Sequence, residues 1–329
     1  MITLAEAKVG MVDPIEQSVV DEFRRSSRLL DLLPFDDAVS PATGGSTLTY
    51  GYTILLTPST ASGRAINKEY TNNEAKRDLK TVNLKIFGGS FKIDRVIAGT
   101  SGSINEVNFQ LNQKIIGAKN LFHYLVINGD STVTDAAGDK LEFDGLKNLL
   151  GDSASTVVTS AVDISTSAYV DSNYQAFLDE VDAWLATLDQ KPDALLMNGK
   201  MLTKLKGIAR RAGYYSRTED AFGRGVDNYD NIELINLEKY YNGAATVDCV
   251  QIDQDGKTDI YAVVFGQDAF HGVSVNGGKI IETHLPDFTT AGAVKEGDVE
   301  FVAAVALKNT LKAGRLKGVK VQAADSPTV

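Results

Sequence analysis

The sequence has little of the chemistry that enzymes and metalloproteins place at their active sites. It has one cysteine, Cys249, in 329 residues, which excludes an internal disulfide framework. That cysteine lies in an apolar run, where a free thiol is usually a small core side chain. The sequence has three histidines: His123, His271 and His284. None has a second histidine or a cysteine at metal-ligand spacing, so we predict no zinc site and find no support for a nucleophile–base pair.

Long apolar runs are also missing. The longest lies near 301–307, far short of the ~20 residues that span a membrane. The N-terminal residues Met1–Glu6 lack a basic stretch followed by an apolar one, so no signal peptide is predicted. These features predict a soluble cytosolic product that makes no membrane contact.

Positive charge is scarce as well. Lysine and arginine number 33 against 43 aspartates and glutamates, a formal net charge of -10. A protein that grips phosphate backbones needs a basic footprint, so tight nucleic-acid binding is not predicted. The charge does not exclude a protein that encloses nucleic acid without holding it. With 43% hydrophobic residues, the chain can build a substantial core as one large domain or two smaller ones.

Three short motifs resemble ligand sites without completing them. The glycine-rich run 272–279 has one residue too many for a phosphate loop, and Ile280 replaces the required serine or threonine. Gly223-Arg224-Gly225 lacks the third glycine of a dinucleotide loop. The acidic run 253–259 has its glycine at the wrong offset for a calcium loop and better fits a hairpin turn at Asp255-Gly256. We therefore predict no catalytic, cofactor-binding or metal-binding residues, and no enzyme.

A basic cluster lies near the C-terminus, at Lys308, Lys312, Arg315, Lys317 and Lys320. Such a cluster could contact nucleic acid. We favour a solvated tail.

The N-terminal segment contains apolar residues without a local partner. Asp13-Pro14 is typical of a helix start, and apolar residues recur at helical spacing from Ile15 to Phe23. The segment ends at Leu29–Pro34. Because little nearby sequence could cover these residues, we predict an arm that packs on something else, such as another chain.

Two alternating segments predict a long hairpin. The first covers 46–56 and the second 81–87, with a polar tip from Thr57 to Lys80. The predicted apolar row consists of Leu48, Tyr50, Tyr52 and Ile54 opposite Val82, Leu84 and Ile86. An isolated two-stranded ribbon is marginally stable in water, so the hairpin needs a partner surface.

The clearest element is a helix at 103–128. Ser103–Glu106 forms a capping box, and Gly129 is a natural stop. Apolar residues step by three and four between, at Ile104, Val107, Leu111, Ile115, Ala118, Phe122 and Leu125. Before this helix, Gly88-Gly89 is predicted to interrupt the alternating pattern. Phe91–Ile97 is predicted to form a strand.

The remainder predicts a mixed α/β block. Helices are expected from Asp171 and from Asn198, with a buried strand at 194–197 between them and a loop at 213–231 after them. Further strands are expected at 249–252, 260–265, 273–275, 279–283 and 299–307.

This order of elements resembles tailed-bacteriophage major capsid proteins with the Hong Kong 97-like fold. The local strings that carry the resemblance are Val19–Pro34, Thr47–Phe87, Phe91–Ile97, Asn105–Asn128 and Leu195–Lys200. The resemblance implies an α+β fold in four parts. These are an N-terminal arm at 1–45, an E-loop hairpin at 46–90, a peripheral domain at 91–150 and 296–329 with its spine helix at 103–128, and an axial domain at 151–295.

The resemblance also implies a function. A subunit of this family assembles with copies of itself into the hexamers and pentamers of an icosahedral shell around double-stranded DNA, without sequence-specific binding. The implied partners are a scaffolding protein and a portal, and the implied locations are the virion and, during assembly, the host cytoplasm. About 40 residues precede the hairpin, fewer than in relatives with a scaffolding domain of their own.

Some members of the family cross-link their subunits through a lysine in the hairpin. Lys68 and Lys76 lie in that region, but no partner asparagine or acidic catalyst is identified, so cross-linking is not predicted. The alternatives are an encapsulin-type nanocompartment, a phage tail or baseplate protein, and an enzyme.

Overall fold

The computed structural model of the chain describes residues 27–38, 48–57, 59–100, 106–152, 154–213, 215–219, 225–275 and 280–324. The helix start predicted at Asp13 lies outside these ranges, as do the Gly223-Arg224 pair and the first three residues of the capping box predicted at Ser103–Glu106. Within them the chain forms helices, two larger sheets and two separate ribbons. This architecture confirms the predicted mixture of helix and strand.

The first ten elements are α1 (Arg28–Leu32), β1 (Phe35–Asp37), β2 (Thr49–Thr57), β3 (Lys76–Asn83), β4 (Lys85–Asp94), α2 (Arg95–Thr100), α3 (Glu106–Asn128), α4 (Leu146–Leu150), β5 (Val157–Thr159) and α5 (Ser167–Leu185). The next seven are β6 (Ala194–Met197), α6 (Gly199–Ala212), β7 (Tyr215–Glu219), β8 (Gly225–Tyr229), β9 (Ile232–Asn236), β10 (Lys239–Tyr241) and β11 (Thr246–Asp248). The last are β12 (Lys257–Val263), β13 (Phe270–Ser274), β14 (Ile281–His284), β15 (Val294–Leu307), a 3-10 turn (Thr310–Lys312) and β16 (Ala313–Lys320).

The spine helix α3 lies against a five-stranded sheet. Strand β15 pairs with β4, β13 and β14, and β1 joins β13 in parallel. The predicted apolar stripe of α3 is confirmed, because Leu111, Ile115, Ala118, Phe122 and Leu125 are buried. The helix ends as predicted, where the amide of Gly129 donates to the carbonyl of Leu125 at 2.9 Å.

Aromatic rings join α3 to this sheet. Phe87 of β4 and Phe301 of β15 meet edge to face with ring centroids 4.6 Å apart. Phe122 of α3 lies 5.1 Å from Phe301 and 6.2 Å from Phe87. Edge-to-face and offset contacts of this kind stabilise a core beyond the area that they bury.

A seven-stranded sheet has the strand order β5-β16-β12-β6-β9-β8-β7. Helices α5 and α6 pack on one face, where Phe177, Trp184, Met201 and Leu205 are fully or almost fully buried with strand residues. The other face joins the core around α3. Helix α6 begins as predicted, since the Asn198 Oδ1 accepts from the amide of Met201 at 2.8 Å.

Helix α5 begins earlier than the sequence predicts. Its first residue is Ser167, four positions before the predicted start at Asp171. The hydroxyl of Thr166 accepts from the amide of Tyr169 at 3.2 Å and caps the helix. Its apolar residues Phe177, Leu178, Val181 and Trp184 are buried.

The predicted strand Phe91–Ile97 is wrong in its second half. Strand β4 ends at Asp94 and α2 begins at Arg95. The Asp94 Oδ1 accepts from the amide of Val96 at 2.8 Å, so its carboxylate starts the helix. The pattern of the three residues 95–97 fits a strand and a helical turn equally. The Asp94 cap favours the helix.

The break predicted at Gly88-Gly89 is also wrong, because both glycines lie inside β4. A Cβ on Gly88 would stand 1.9 Å from the carbonyl oxygen of Val299 on the paired strand. Glycine is therefore required here by the close approach of another backbone rather than by a turn.

Other predicted strand boundaries shift. The segment predicted as one strand at 81–87 divides between β3 and β4. The predicted loop 213–231 contains β7 and β8, and only one isolated bridge, Ile252 to Thr258, remains of the strand predicted at 249–252. The Asp255-Gly256 turn forms as predicted, with Gly256 at φ +75.

The C-terminal tail interpretation is wrong. Residues 313–320 form β16, an inner strand that pairs with β12 and β5. Its partner β12 falls in the range predicted for the axial domain, whereas 296–329 is predicted to belong to the peripheral domain. The sheets therefore divide the chain within the range 296–329.

The arm prediction is wrong for its described part. Residues 27–38 pack on this chain's own core, where Leu29, Leu30 and Leu33 are buried. The Arg28 guanidinium makes a bidentate ion pair with Glu233 of β9, with N···O distances of 2.5 and 2.8 Å. Residues 1–26 and 39–47 lie outside the described ranges.

Candidate assembly surfaces

The base of the β2–β3 hairpin is anchored on the chain's own core. The two strands pair antiparallel from Thr49↔Asn83 to Thr57↔Lys76, with one irregularity near the tip. Tyr52 is 8% exposed and Leu84 is buried, while Tyr50, Ile54 and Val82 pack partly buried on the same core. The hairpin thus projects from a fixed root.

Tyr50 is the best-connected residue of this root. Its hydroxyl donates to the Asp36 Oδ2 at 2.6 Å, its ring meets that of His271 edge to face at 5.8 Å, and the Lys308 ammonium lies 5.5 Å from its ring centroid. Burial first, and then the hydrogen bond to Asp36, raises the pKa of the Tyr50 hydroxyl far above its usual range. The phenol therefore stays a donor at any physiological pH.

The predicted exposed apolar row is therefore wrong for most of its members. Tyr50, Tyr52, Ile54, Val82 and Leu84 face this chain's own core. Ile86 belongs to β4, where it pairs with Val302. The predicted alternation of the hairpin strands is correct, but the surface that covers their apolar face is this chain's own core.

The opposite face of the hairpin carries exposed apolar side chains. Thr53 pairs with Leu79 and Leu55 with Arg77, so Leu55 and Leu79 share the face that points away from the core. They are 61% and 67% exposed. Within 59–81 every residue is exposed, including Ile66 and Tyr70 near the tip. We call Leu55, Ile66, Tyr70 and Leu79 the outer hairpin surface.

Few contacts hold the tip in shape. The amide of Thr60 donates to the Asn73 Oδ1 at 3.0 Å, and the Arg64 guanidinium lies 5.3 Å from the Tyr70 ring centroid. Of the tip residues that the structure describes, none packs on the core. Apolar surface that is exposed and so weakly supported is typical of a protein interaction site.

A second exposed apolar patch lies at one end of the five-stranded sheet. Val294, the first residue of β15, pairs with Asp94, and the amide of Arg95 donates to the carbonyl of Ala293 at 2.9 Å. Val96, Ile97 and Val294 are all more than half exposed. We call these three residues the sheet-end patch.

The structure scatters the residues that carry reactive side chains. His123 is buried between the Ser27 hydroxyl, at 2.6 Å, and the Leu237 carbonyl, at 3.3 Å. His271 is buried beside Tyr50, whereas His284 is exposed at the end of β14. Burial, and next the charge of Lys119, lowers the pKa of His123 to about 3. Cys249 is buried, and burial raises its thiol pKa to about 12, which disfavours the reactive thiolate.

The motifs that resembled ligand sites have structural roles where they are described. The Asp253 Oδ1 accepts from the amide of Lys257 at 2.8 Å, within the predicted hairpin. Asp259 pairs with Arg315 at 2.6 Å and accepts from the amide of Gly318. Residues 272–274 lie in β13, and 276–279 are outside the described ranges. No group of three or more histidine, cysteine or carboxylate side chains suited to a metal occurs among the described residues.

Most of the C-terminal basic cluster is neutralised within the chain. Arg315 pairs with Asp259 and Asp152, and Lys317 also reaches Asp152 at 3.0 Å. Lys320 pairs with Asp163, and Lys312 with Asp268. Four of the five cations therefore tie strand β16 and its flanking turn to neighbouring segments.

In the part of the chain that the structure describes, no helix is both long and apolar enough to cross a bilayer.

Known proteins resemble this chain in structure but not in sequence. No family model and no curated protein sequence matches it. The holo-SrpI encapsulin complex from Synechococcus elongatus PCC 7942 superposes with a TM-score of 0.59 at 12% identity, covering 100% of this chain and 99% of the other. The capsid of an empty GTA particle gives 0.56 at 11%, covering 89% and 90%. Mycobacterium phage Adephagia gives 0.52 at 12%, covering 99% of both chains.

These likenesses establish the fold. The chain has the Hong Kong 97-like fold of capsid shell proteins, as its order of elements predicts. The structures that share it include the capsid of Myoviridae phage XM1, the capsid of a native GTA particle and the SrpI encapsulin.

Proposed function

We propose that this chain is the major capsid protein of a tailed bacteriophage, which assembles with itself into the hexamers and pentamers of an icosahedral shell. The shell encloses double-stranded DNA without sequence-specific binding, and assembly in the host cytoplasm uses a scaffolding protein and a portal. The four-part division of the chain predicted above stays part of this proposal. We propose no catalytic role.

One observation carries the proposal. The outer hairpin surface projects from a root that is fixed on the subunit core, and its apolar residues are not covered by any residue that the structure describes. Removing apolar area from water yields about 25 cal/mol for each Å², so a subunit gains stability when a neighbour covers this surface. Identical contacts of this kind, repeated around a closed symmetry, generate rings and shells.

The sheet-end patch supports the same proposal. The hairpin precedes β4 in the sequence, Val96 and Ile97 follow β4, and Val294 begins β15. Like the outer hairpin surface, this patch is apolar and exposed. Two separate patches allow a subunit to contact different neighbours with different parts of its surface. A closed shell requires such multiple contacts, whereas a simple dimer requires only one.

Electron microscopy of the purified protein tests the proposal. The chain is expressed alone and together with the products of the genes beside its own. We expect closed shells with five-fold and six-fold clusters of subunits. A monomer that persists at high concentration with the neighbouring gene products present would rule out the shell function.

An encapsulin-type nanocompartment is the second candidate function. The encapsulin likeness covers nearly the whole of both chains, which supports it. The contents of native particles separate the two candidates. Nuclease-protected double-stranded DNA supports the phage capsid, and a single abundant cargo protein supports the nanocompartment.

A further inference from the structure

Helix α6 concentrates positive charge in a chain that is acidic overall. Its 14 residues include five cations and no carboxylate, although the chain has a net charge of -10. The cations are Lys200, Lys204, Lys206, Arg210 and Arg211. No other described helix has this composition, so the charge is segregated onto one element.

The cations surround a strip of small residues on the exposed side of the helix. Successive residues turn by about 100°, so Met201, Leu205 and Ile208 form the buried side. Lys200, Lys204 and Arg211 then form one row, and Lys206 and Arg210 a second. Thr203 and Gly207 lie between the rows. Thr203 is exposed, and the Arg211 guanidinium reaches over to donate to the Gly207 carbonyl at 3.4 Å.

Described carboxylates pair with two of these cations, and neutral oxygens hold two others. Lys206 pairs with Asp227, and Arg211 with Asp171 of α5. The Lys200 ammonium instead donates to the Gln322 amide oxygen at 2.5 Å, and the Lys204 ammonium to the Ser165 carbonyl at 2.8 Å. Neutral oxygens orient these two ammonium groups without cancelling their charge.

The carboxylates of the neighbouring helix α5 do not close the surface. Helix α5 beside it has four, of which Asp171 pairs with Arg211, Glu180 accepts from Ser160 and Asp182 accepts from the Tyr229 hydroxyl. The fourth, Asp179, is exposed on α5 itself. Because Lys200 and Lys204 donate to neutral oxygens, α6 keeps an excess of positive charge.

We propose that the exposed face of α6 contacts the phosphate backbone of the nucleic acid that the shell encloses, an inference that rests on the proposed shell function. Backbone contacts of this kind are independent of sequence and weaken steeply with salt. A few such contacts per subunit would guide nucleic acid along the wall, while the acidic remainder of the chain keeps it from binding tightly.

The composition of the face favours nucleic acid over an acidic protein segment. Protein interfaces usually centre on buried aromatic or large aliphatic side chains. Among the described residues, the exposed large hydrophobic side chains all lie outside 199–213. A surface of cations, threonine and glycine can attract a line of phosphates but offers no apolar anchor to a protein.

The first test measures binding of the full-length subunit to a short random-sequence DNA duplex by fluorescence anisotropy. The double variant Lys200→Gln, Lys204→Gln removes two unneutralised cations. The control Lys191→Gln, Lys239→Gln removes the same charge from two exposed pairs elsewhere. Between about 50 and 200 mM salt, the logarithm of the binding constant falls linearly with the logarithm of the salt concentration. We expect the magnitude of this slope to be smaller by about 1.8 in the test variant, because each lost phosphate contact removes ~0.9. The control should keep the wild-type slope.

Equal slopes in the two variants would overturn the inference. Tighter binding of polyglutamate than of the duplex would also overturn it, in favour of an acidic protein partner. Melting temperatures near the wild-type value in both variants show that the comparison concerns binding and not folding.

A second test keeps this inference separate from the shell function. In assembled particles, Lys200 and Lys204 should be acetylated more slowly when nucleic acid is present than after it has been removed. Particles that form but show equal acetylation rates would contradict the α6 contact and leave the shell function intact. Failure to form particles would contradict the shell function, and the duplex measurement would still decide the α6 contact.

Discussion

The Tyr50 hydroxyl donates to the Asp36 carboxylate across 2.6 Å, and this bond joins the hairpin to the segment that precedes it in the chain. Asp36 lies in β1, which pairs in parallel with β13 of the five-stranded sheet. The hairpin root is therefore held both by apolar packing and by one charge-assisted hydrogen bond. Its direction relative to the subunit core is set at this point.

Replacing Tyr50 by phenylalanine should loosen the hairpin root. The ring and its packing remain, but the Asp36 carboxylate loses a donor. Because the site is partly exposed, we expect a loss of about 1 kcal/mol of unfolding free energy, measured by urea denaturation. Tyr241→Phe, which removes an exposed hydroxyl bonded to the Gly243 carbonyl, is the control and should change the unfolding free energy by less than half as much.

Truncation of the spine helix stripe should be costly. Leu125 is 2% exposed within the aromatic and aliphatic core, so Leu125→Ala should lower the unfolding free energy by about 2–5 kcal/mol. Ile116 lies on the same helix but is 42% exposed. The matched variant Ile116→Ala should lose under about 1 kcal/mol. Similar losses in both variants would mean that the register of the helix is wrong.

A charge on the outer hairpin surface should block assembly without unfolding the subunit. Leu79→Asp places a carboxylate where we propose that a neighbour covers the surface, and burying an unpaired charge is strongly unfavourable. Because Leu79 is exposed in the subunit, the melting temperature should stay within a few degrees of the wild-type value. Leu141→Asp alters another leucine that is more than half exposed, outside the hairpin, and should still form particles in sedimentation and microscopy.

The buried His123 should make the subunit sensitive to acid. Its pKa is about 3 when folded and near 6.5 when unfolded. Between these values the unfolded chain binds more protons, so stability falls as the pH drops from about 6.5 towards 3, by up to about 1.4 kcal/mol for each pH unit. His271, whose pKa burial also lowers, acts in the same direction.

The variant His123→Gln keeps a polar side chain opposite Ser27 but cannot titrate. Its unfolding free energy, measured by denaturation from pH 7 to 4, should fall less steeply than that of the wild type. His284→Gln alters an exposed histidine and should follow the wild-type curve. If the wild type and His123→Gln lose stability in parallel, His123 is not the group responsible.

Sequence periodicity identified the faces of elements more reliably than their partners. The three-four spacing from Leu111 to Leu125 predicted both the spine helix and its buried side, because a helix of that length has no other way to bury the stripe. The alternation of Tyr50 and Tyr52 predicted a strand and its apolar face. It carried no information on whether that face meets the same chain or another.

The features that the sequence did not reveal depend on contacts between distant residues. The Arg28–Glu233 pair joins residues 205 positions apart and fixes the segment that looked like a free arm. Gly88 lies within a strand because the Val299 carbonyl approaches it. The sequence predicts that Arg315 belongs to a solvated tail, whereas in the structure its strand, β16, pairs with β12. The cations of α6 were visible in the sequence, but the separation of their rows by Thr203 and Gly207 follows only from the helix.

Limited trypsin digestion of free subunits and assembled particles tests most directly whether the hairpin is an intersubunit element. The hairpin carries four trypsin sites, at Arg64, Lys68, Lys76 and Arg77, all of them exposed. Lys140, an exposed residue outside the hairpin that bridges to Thr134, serves as the internal reference, and mass spectrometry gives the cleavage rate at each site. If neighbours cover the hairpin, subunits should be cut first at these four sites and particles should resist there. Equal cleavage rates at the four sites in subunits and particles would contradict the assembly role of the hairpin.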